Sequence, residues 1–142
     1  MRKLVLFTGV VALALLVGVH FAAAAEMKTM AKLTGAAETA GGDPKGSGTA
    51  QVTLNSDKNE VCYDLTVTDV PDASAAHIHE GAAGKDGAVK VPFDPPKAGA
   101  AKGCKTAEAA VIQDIMKNPA NYYVNVHSTA YPKGAIRGQL SK

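Results

Sequence analysis

Apolar residues occupy every second position in two consecutive stretches, Val52 and Leu54, then Val61, Tyr63, Leu65 and Val67, with Asn55-Ser56-Asp57-Lys58-Asn59 between them. Side chains alternate between the two faces of a strand but return every 3.6 residues on a helix, so this spacing demands extended chain with one buried face. Polar residues of turn composition between two such stretches predict a β-hairpin. Asp64, Thr66 and Thr68 fill the alternate positions and belong to its solvated face.

Further short stretches of strand character are predicted at 28–34, 75–79, 88–91, 122–127 and 135–140. Glycine and proline clusters separate them, at Gly41-Gly42-Asp43-Pro44, between Gly81 and Gly87, between Pro92 and Gly99, and at Tyr131-Pro132-Lys133-Gly134. One segment breaks the pattern. After Thr106, the run from Ala107 to Met116 combines strong helix formers with apolar residues three and four apart, which predicts a short helix capped by Thr106 and stopped near Lys117 by Pro119. Strands separated by turns, with one short helix in a connection, predict an all-β domain: an antiparallel β-sandwich or a flattened Greek-key barrel.

The first residues set the compartment. Met1-Arg2-Lys3, an apolar run from Leu4 to Val19, and alanines at 22–25 follow the order of a secretory signal peptide, with Ala23 and Ala25 at the small-residue positions of the cleavage site. The expected signal peptide is 1–25 and the expected domain 26–142, periplasmic or secreted, with no stable membrane anchor after cleavage. Arg2 and Lys3 leave with the signal, so the 15 Lys and Arg fall to 13 and balance the 13 Asp and Glu. Nucleic acid, which needs clustered positive charge, is excluded as a partner on that ground. Both cysteines, Cys62 and Cys104, lie beyond the signal, and an even count in an oxidising compartment predicts a disulfide between them.

Of the four histidines, His20 belongs to the signal and His77, His79 and His127 all fall in predicted strands. Alternation puts His77 and His79 on one face of theirs, Tyr123, Asn125 and His127 on one face of the next, and Arg137 and Gln139 outward on the last. With Val124, Val126 and Ile136 turned to the core, these polar residues are expected to form one patch on the outer surface. Three imidazoles, with water or a carboxylate completing the shell, suit one copper or zinc ion. The competing reading of the same residues is a plain surface or hydrogen-bonding role. Glu80, Asn125 and Arg137 are the expected periphery.

Ala75-Ala76-His77-Ile78-His79-Glu80-Gly81, then Tyr123-Val124-Asn125-Val126-His127-Ser128, Tyr131-Pro132 and Ala135-Ile136-Arg137-Gly138-Gln139-Leu140, together resemble the CHRD (chordin-type) domain, as do Leu33-Thr34-Gly35-Ala36-Ala37-Glu38 and Gly46-Ser47-Gly48-Thr49-Ala50. The resemblance implies a small exported domain and says little of activity. Glu38-Thr39-Ala40-Gly41 departs from the bulkier stretch usual there. A weaker likeness is to copper/zinc superoxide dismutase, which carries copper on a His-x-His-Glu strand comparable to His77-Ile78-His79-Glu80. That likeness implies copper ligands at His77, His79 and His127 and an anion-guiding Arg137. With no histidine between His79 and His127, a dinuclear site cannot be built and a mononuclear one can.

No G-x-S-x-G elbow, phosphate-cradling glycine loop or free Cys beside a His is present. The chain therefore reads as a binding domain more readily than as an enzyme, with a metal ion or an extracytoplasmic protein as its partner. A redox enzyme of the dismutase type and a metal-free protein-interaction module are the two alternatives.

Overall fold

The alternating stretches pair with each other, Val52 opposite Tyr63 and Leu54 opposite Val61. Asn59 takes the left-handed conformation (φ 52°) that an asparagine tolerates, and Asn55 Oδ1 accepts the Lys58 N–H at 3.0 Å, so the turn is held by its own polar residues. In the computed structural model, which describes residues 26–142, this hairpin is strands β2 (Ser47–Asn55) and β3 (Glu60–Thr68). The expected signal peptide lies outside the described residues.

The other elements are β1 (Glu26–Thr34), β4 (Ala73–Glu80), β5 (Val89–Phe93), β6 (Ala100–Thr106), helix α1 (Ala109–Lys117), β7 (Tyr122–Ser128) and β8 (Ile136–Gln139). All pairings are antiparallel, in the order β5-β4-β7-β8-β1-β2-β3-β6, and the 8-stranded sheet curls until its two end strands approach each other. The fold is thus all-β and nearly a barrel. Among the described residues no helix is long and apolar enough to cross a membrane.

The inner face collects the predicted apolar rows, Leu54, Val61, Leu65, Ile78, Val124, Val126 and Ile136, all buried, and α1 adds Ile112 and Ile115 from successive turns. At the seam between β5 and β6, Tyr63 stacks on Phe93 with ring centroids 4.0 Å apart. The Tyr63 hydroxyl donates to Asp94 Oδ2 (2.7 Å) and accepts the Asp94 N–H (2.9 Å).

Two local expectations need correction. β6 is a strand that the sequence pattern does not announce. It pairs with β3 along its whole length, and at Gly103, opposite Tyr63, the tyrosine ring takes the space of a side chain: a Cβ there would sit 3.0 Å from the Tyr63 hydroxyl oxygen. Thr106 therefore ends β6, paired with Glu60, and does not cap the helix, which begins at Ala109 with no side-chain cap. The helix does stop at Lys117, ahead of Pro119. β6 also carries the disulfide partner, with Cys104 directly opposite Cys62 and bonded to it, the Cα atoms 3.9 Å apart.

Candidate metal centre

On the side of β4, β7 and β8 away from the core, side chains line up in rows across the sheet. His79 stands opposite Tyr123, and Tyr123 opposite Gln139. One step along, His77 stands opposite Asn125, and Asn125 opposite Arg137. His127 follows Asn125 two positions on, on the same face.

This register brings the three imidazoles together. Ring centroids are 5.3 Å apart for His77 and His79, 5.2 Å for His77 and His127, and 6.4 Å for His79 and His127. One ligating nitrogen from each lies within 4.8 Å of the others. His79 Nδ1 is 2.9 Å from the Gly87 carbonyl oxygen and His127 Nδ1 is 3.0 Å from that of Pro132. A carbonyl can only accept, so both Nδ1 atoms carry the hydrogen, and in the neutral ring Nε2 is then the atom with the lone pair. His77 Nδ1, His79 Nε2 and His127 Nε2 are buried and make no hydrogen bond among the described residues. Burial, followed by the charges of neighbouring rings, pushes the His77 pKa down. Burial also lowers that of His127. Neutral rings with free nitrogens are the form that binds a borderline cation.

The outer surface expected for this patch is in fact roofed over. His79 is 8% exposed, Asn125 2% and Arg137 3%; His77 and His127 are half-buried. The roof is made by the 81–87 connection, by Glu38 and Thr39, and by the turn through Pro132. Alternation says which side of the sheet a residue leaves from, and it does not say what covers that side.

Arg137 is the centre of the roof's attachment. Its Nε donates to Glu38 Oε2 at 3.0 Å, Nη1 to the Lys85 carbonyl at 3.1 Å and Nη2 to Asp86 Oδ1 at 2.6 Å, while its guanidinium carbon lies 4.0 Å from the Tyr123 ring centroid. Its donors are committed to these partners, so the anion-guiding role that the dismutase likeness implies has no free guanidinium to perform it. Desolvation raises the pKa of the Glu38 carboxylate against the pull of Arg137. Gly134 is required beside it, because a Cβ there would meet that carboxylate.

Glu80 stands apart from the cluster. It leaves β4 from the face opposite His79, and its carboxylate pairs with Lys90 at 2.7 Å. Glu60, Cys62 and Cys104 also lie close together, but both thiols are consumed by the disulfide.

The family model of the CHRD domain matches residues 29–140. The chain belongs to the CHRD-domain family. No curated protein and no solved structure matches it. In this CHRD domain the matched span runs from β1 through Leu140 and so includes all three histidines, Glu38, Asp86 and Arg137. Glu38, Asp86 and Gly87 are residues around the cluster to which the sequence pattern gives no role there, Asp86 and Gly87 lying in the glycine-bounded 81–87 connection. Lys85-Asp86-Gly87 carries no periodicity, and its role depends on an arginine 51 positions from Asp86.

Proposed function

We propose that this CHRD domain is an exported metal-binding domain in which His77, His79 and His127 hold a single copper or zinc ion. The observation that carries this reading is the trio of buried, unpartnered ring nitrogens. A buried polar atom without a partner costs about 1–3 kcal/mol, and one cation would account for all three together, since each of these histidines offers a ligand atom within 4.8 Å of the others. Carbonyl acceptors on the far nitrogens of His79 and His127 orient those rings as metal-bound histidines are usually oriented. The disulfide supports an oxidising compartment outside the cytoplasm.

Binding is favoured over dismutation because Arg137 is tied down and the expected mature chain is formally neutral, which leaves little to steer an anion to the site.

The test is titration of the intact domain with Cu(II) and with Zn(II) at pH 7.5, read by calorimetry. One ion per chain is expected, with each of His77→Ala, His79→Ala and His127→Ala weakening binding at least about tenfold, roughly 1.4 kcal/mol. No binding of either ion, or equal binding by the triple variant, would overturn the reading and leave the protein-interaction module in its place.

A further inference from the structure

The 81–87 connection is tied to the sheet at several points. Arg137 holds Lys85 O and Asp86, the Thr39 hydroxyl donates to Asp86 at 2.8 Å, Gly87 N–H donates to the Tyr123 hydroxyl at 3.3 Å, and Gly87 O accepts from His79. Gly84 supplies a left-handed turn (φ 73°), and a Cβ at Gly87 would collide with the Glu80 carbonyl oxygen, so the loop's return requires glycine there.

Two routes run from Asp86 to the His79 ring. Along the backbone, Asp86 precedes Gly87, whose carbonyl decides which His79 nitrogen keeps its hydrogen. Through side chains, Asp86 fixes Arg137, Arg137 lies against Tyr123, and Tyr123 stacks on His79 with centroids 4.9 Å apart and planes within 4°. The stack sets the plane of the ring, and the carbonyl sets its tautomer. One carboxylate stands on both routes, with a side chain 67% exposed that touches none of the proposed ligating nitrogens.

We infer that Asp86 is a positioning residue for the histidine cluster, clasping the 81–87 loop to Arg137 so that Gly87 O holds His79 with Nε2 free. This rests on the metal-binding reading for its purpose but not for its geometry, and the experiment separates the two. Asp86→Ala is compared with the intact domain and with Asp64→Ala, which removes a surface ion pair to Lys102 (2.9 Å) on β3 and β6. In metal-free protein, long-range ¹H–¹⁵N correlation should show His79 in the Nδ1–H form, and Asp86→Ala should mix the two tautomers while Asp64→Ala leaves them unchanged. With Cu(II), Asp86→Ala should bind about 10–100-fold more weakly, the usual effect of losing a group that orients a ligand, and its electron paramagnetic resonance hyperfine pattern should change. A single Nδ1–H tautomer retained in Asp86→Ala, with unaltered affinity, overturns the inference even if its melting temperature falls. If the intact domain binds neither Cu(II) nor Zn(II), the metal reading fails and the tautomer measurement alone decides the clasp.

Discussion

Glu38 and Arg137, 99 residues apart in the chain, meet in a hydrogen-bonded ion pair of 3.0 Å with side chains only 1% and 4% exposed. The pair joins the segment after β1 to β8 beneath the 81–87 loop. Removing Arg137 leaves the Glu38 carboxylate buried and uncompensated. Arg137→Met should therefore cost about 3–5 kcal/mol of stability in denaturant unfolding, whereas the double variant Glu38→Gln/Arg137→Met should recover much of that loss. A cost below about 1 kcal/mol for the single variant, the range of an exposed pair, would show that the guanidinium is free to face solvent.

Asp86 makes a pH-dependent contribution whose sign follows from its partner. Its hydrogen bond to Arg137, and then that from Thr39, hold the Asp86 carboxyl below its ordinary range. A group with a depressed folded-state pKa contributes stability that is fully present above its unfolded value, about 3.9, and is lost as pH falls through the folded value. The urea midpoint of the native domain should accordingly exceed that of Asp86→Asn at neutral pH, and the gap should close below about pH 4. A gap that persists unchanged into acid would mean the charge on Asp86 contributes nothing.

The parts of this fold that are legible in the sequence are those governed by the two-residue repeat of the strand. The β2–β3 hairpin, the core face of β7 and the common face of His77 and His79 all follow from it. β6 is illegible because its core-side row is Ala101, Gly103 and Lys105, opposite Leu65, Tyr63 and Val61, and so lacks the apolar alternation. The disulfide is the one mark it leaves: a partner for Cys62 in mid-strand has to lie on an adjacent strand or close by. The gathering of the histidines is legible as a shared face, and their burial is not. The roof comes from chain far away in sequence, and Arg137 and Asp86 recognise each other by charge and reach rather than by any local pattern.

The Cys62–Cys104 bond closes a separation of 42 residues between two strands that are already paired. On loop-closure entropy it should contribute about 4 kcal/mol, chiefly by restricting the unfolded chain. Cys62→Ser/Cys104→Ser should lower stability by up to that amount while leaving the β3–β6 amide resonances in place, since the ladder itself does not depend on the sulfurs. Loss of those resonances would instead make the bond a requirement for the strand pairing.

Tyr63 bridges the seam of the barrel, and its hydroxyl alone can be removed. Tyr63→Phe keeps the ring stacked on Phe93 but takes away the donor to Asp94 Oδ2 and the acceptor of the Asp94 N–H. Asp94 retains Lys105, 2.7 Å from its other oxygen, so the carboxylate stays paired while its backbone N–H is left without a partner. The cost should be about 1–3 kcal/mol, the range for an orphaned, partly buried donor. Because β5 and β6 are the two ends of the sheet, the loss should be local before it is global. Amide hydrogen exchange should speed up first at Val91, Phe93 and Asp94, while Val124 and Val126 in the middle of the sheet keep their protection. Uniform acceleration across β5 and β7 would show that the seam opens only with the whole barrel, and unchanged exchange at Asp94 would show that the hydroxyl does not hold it shut.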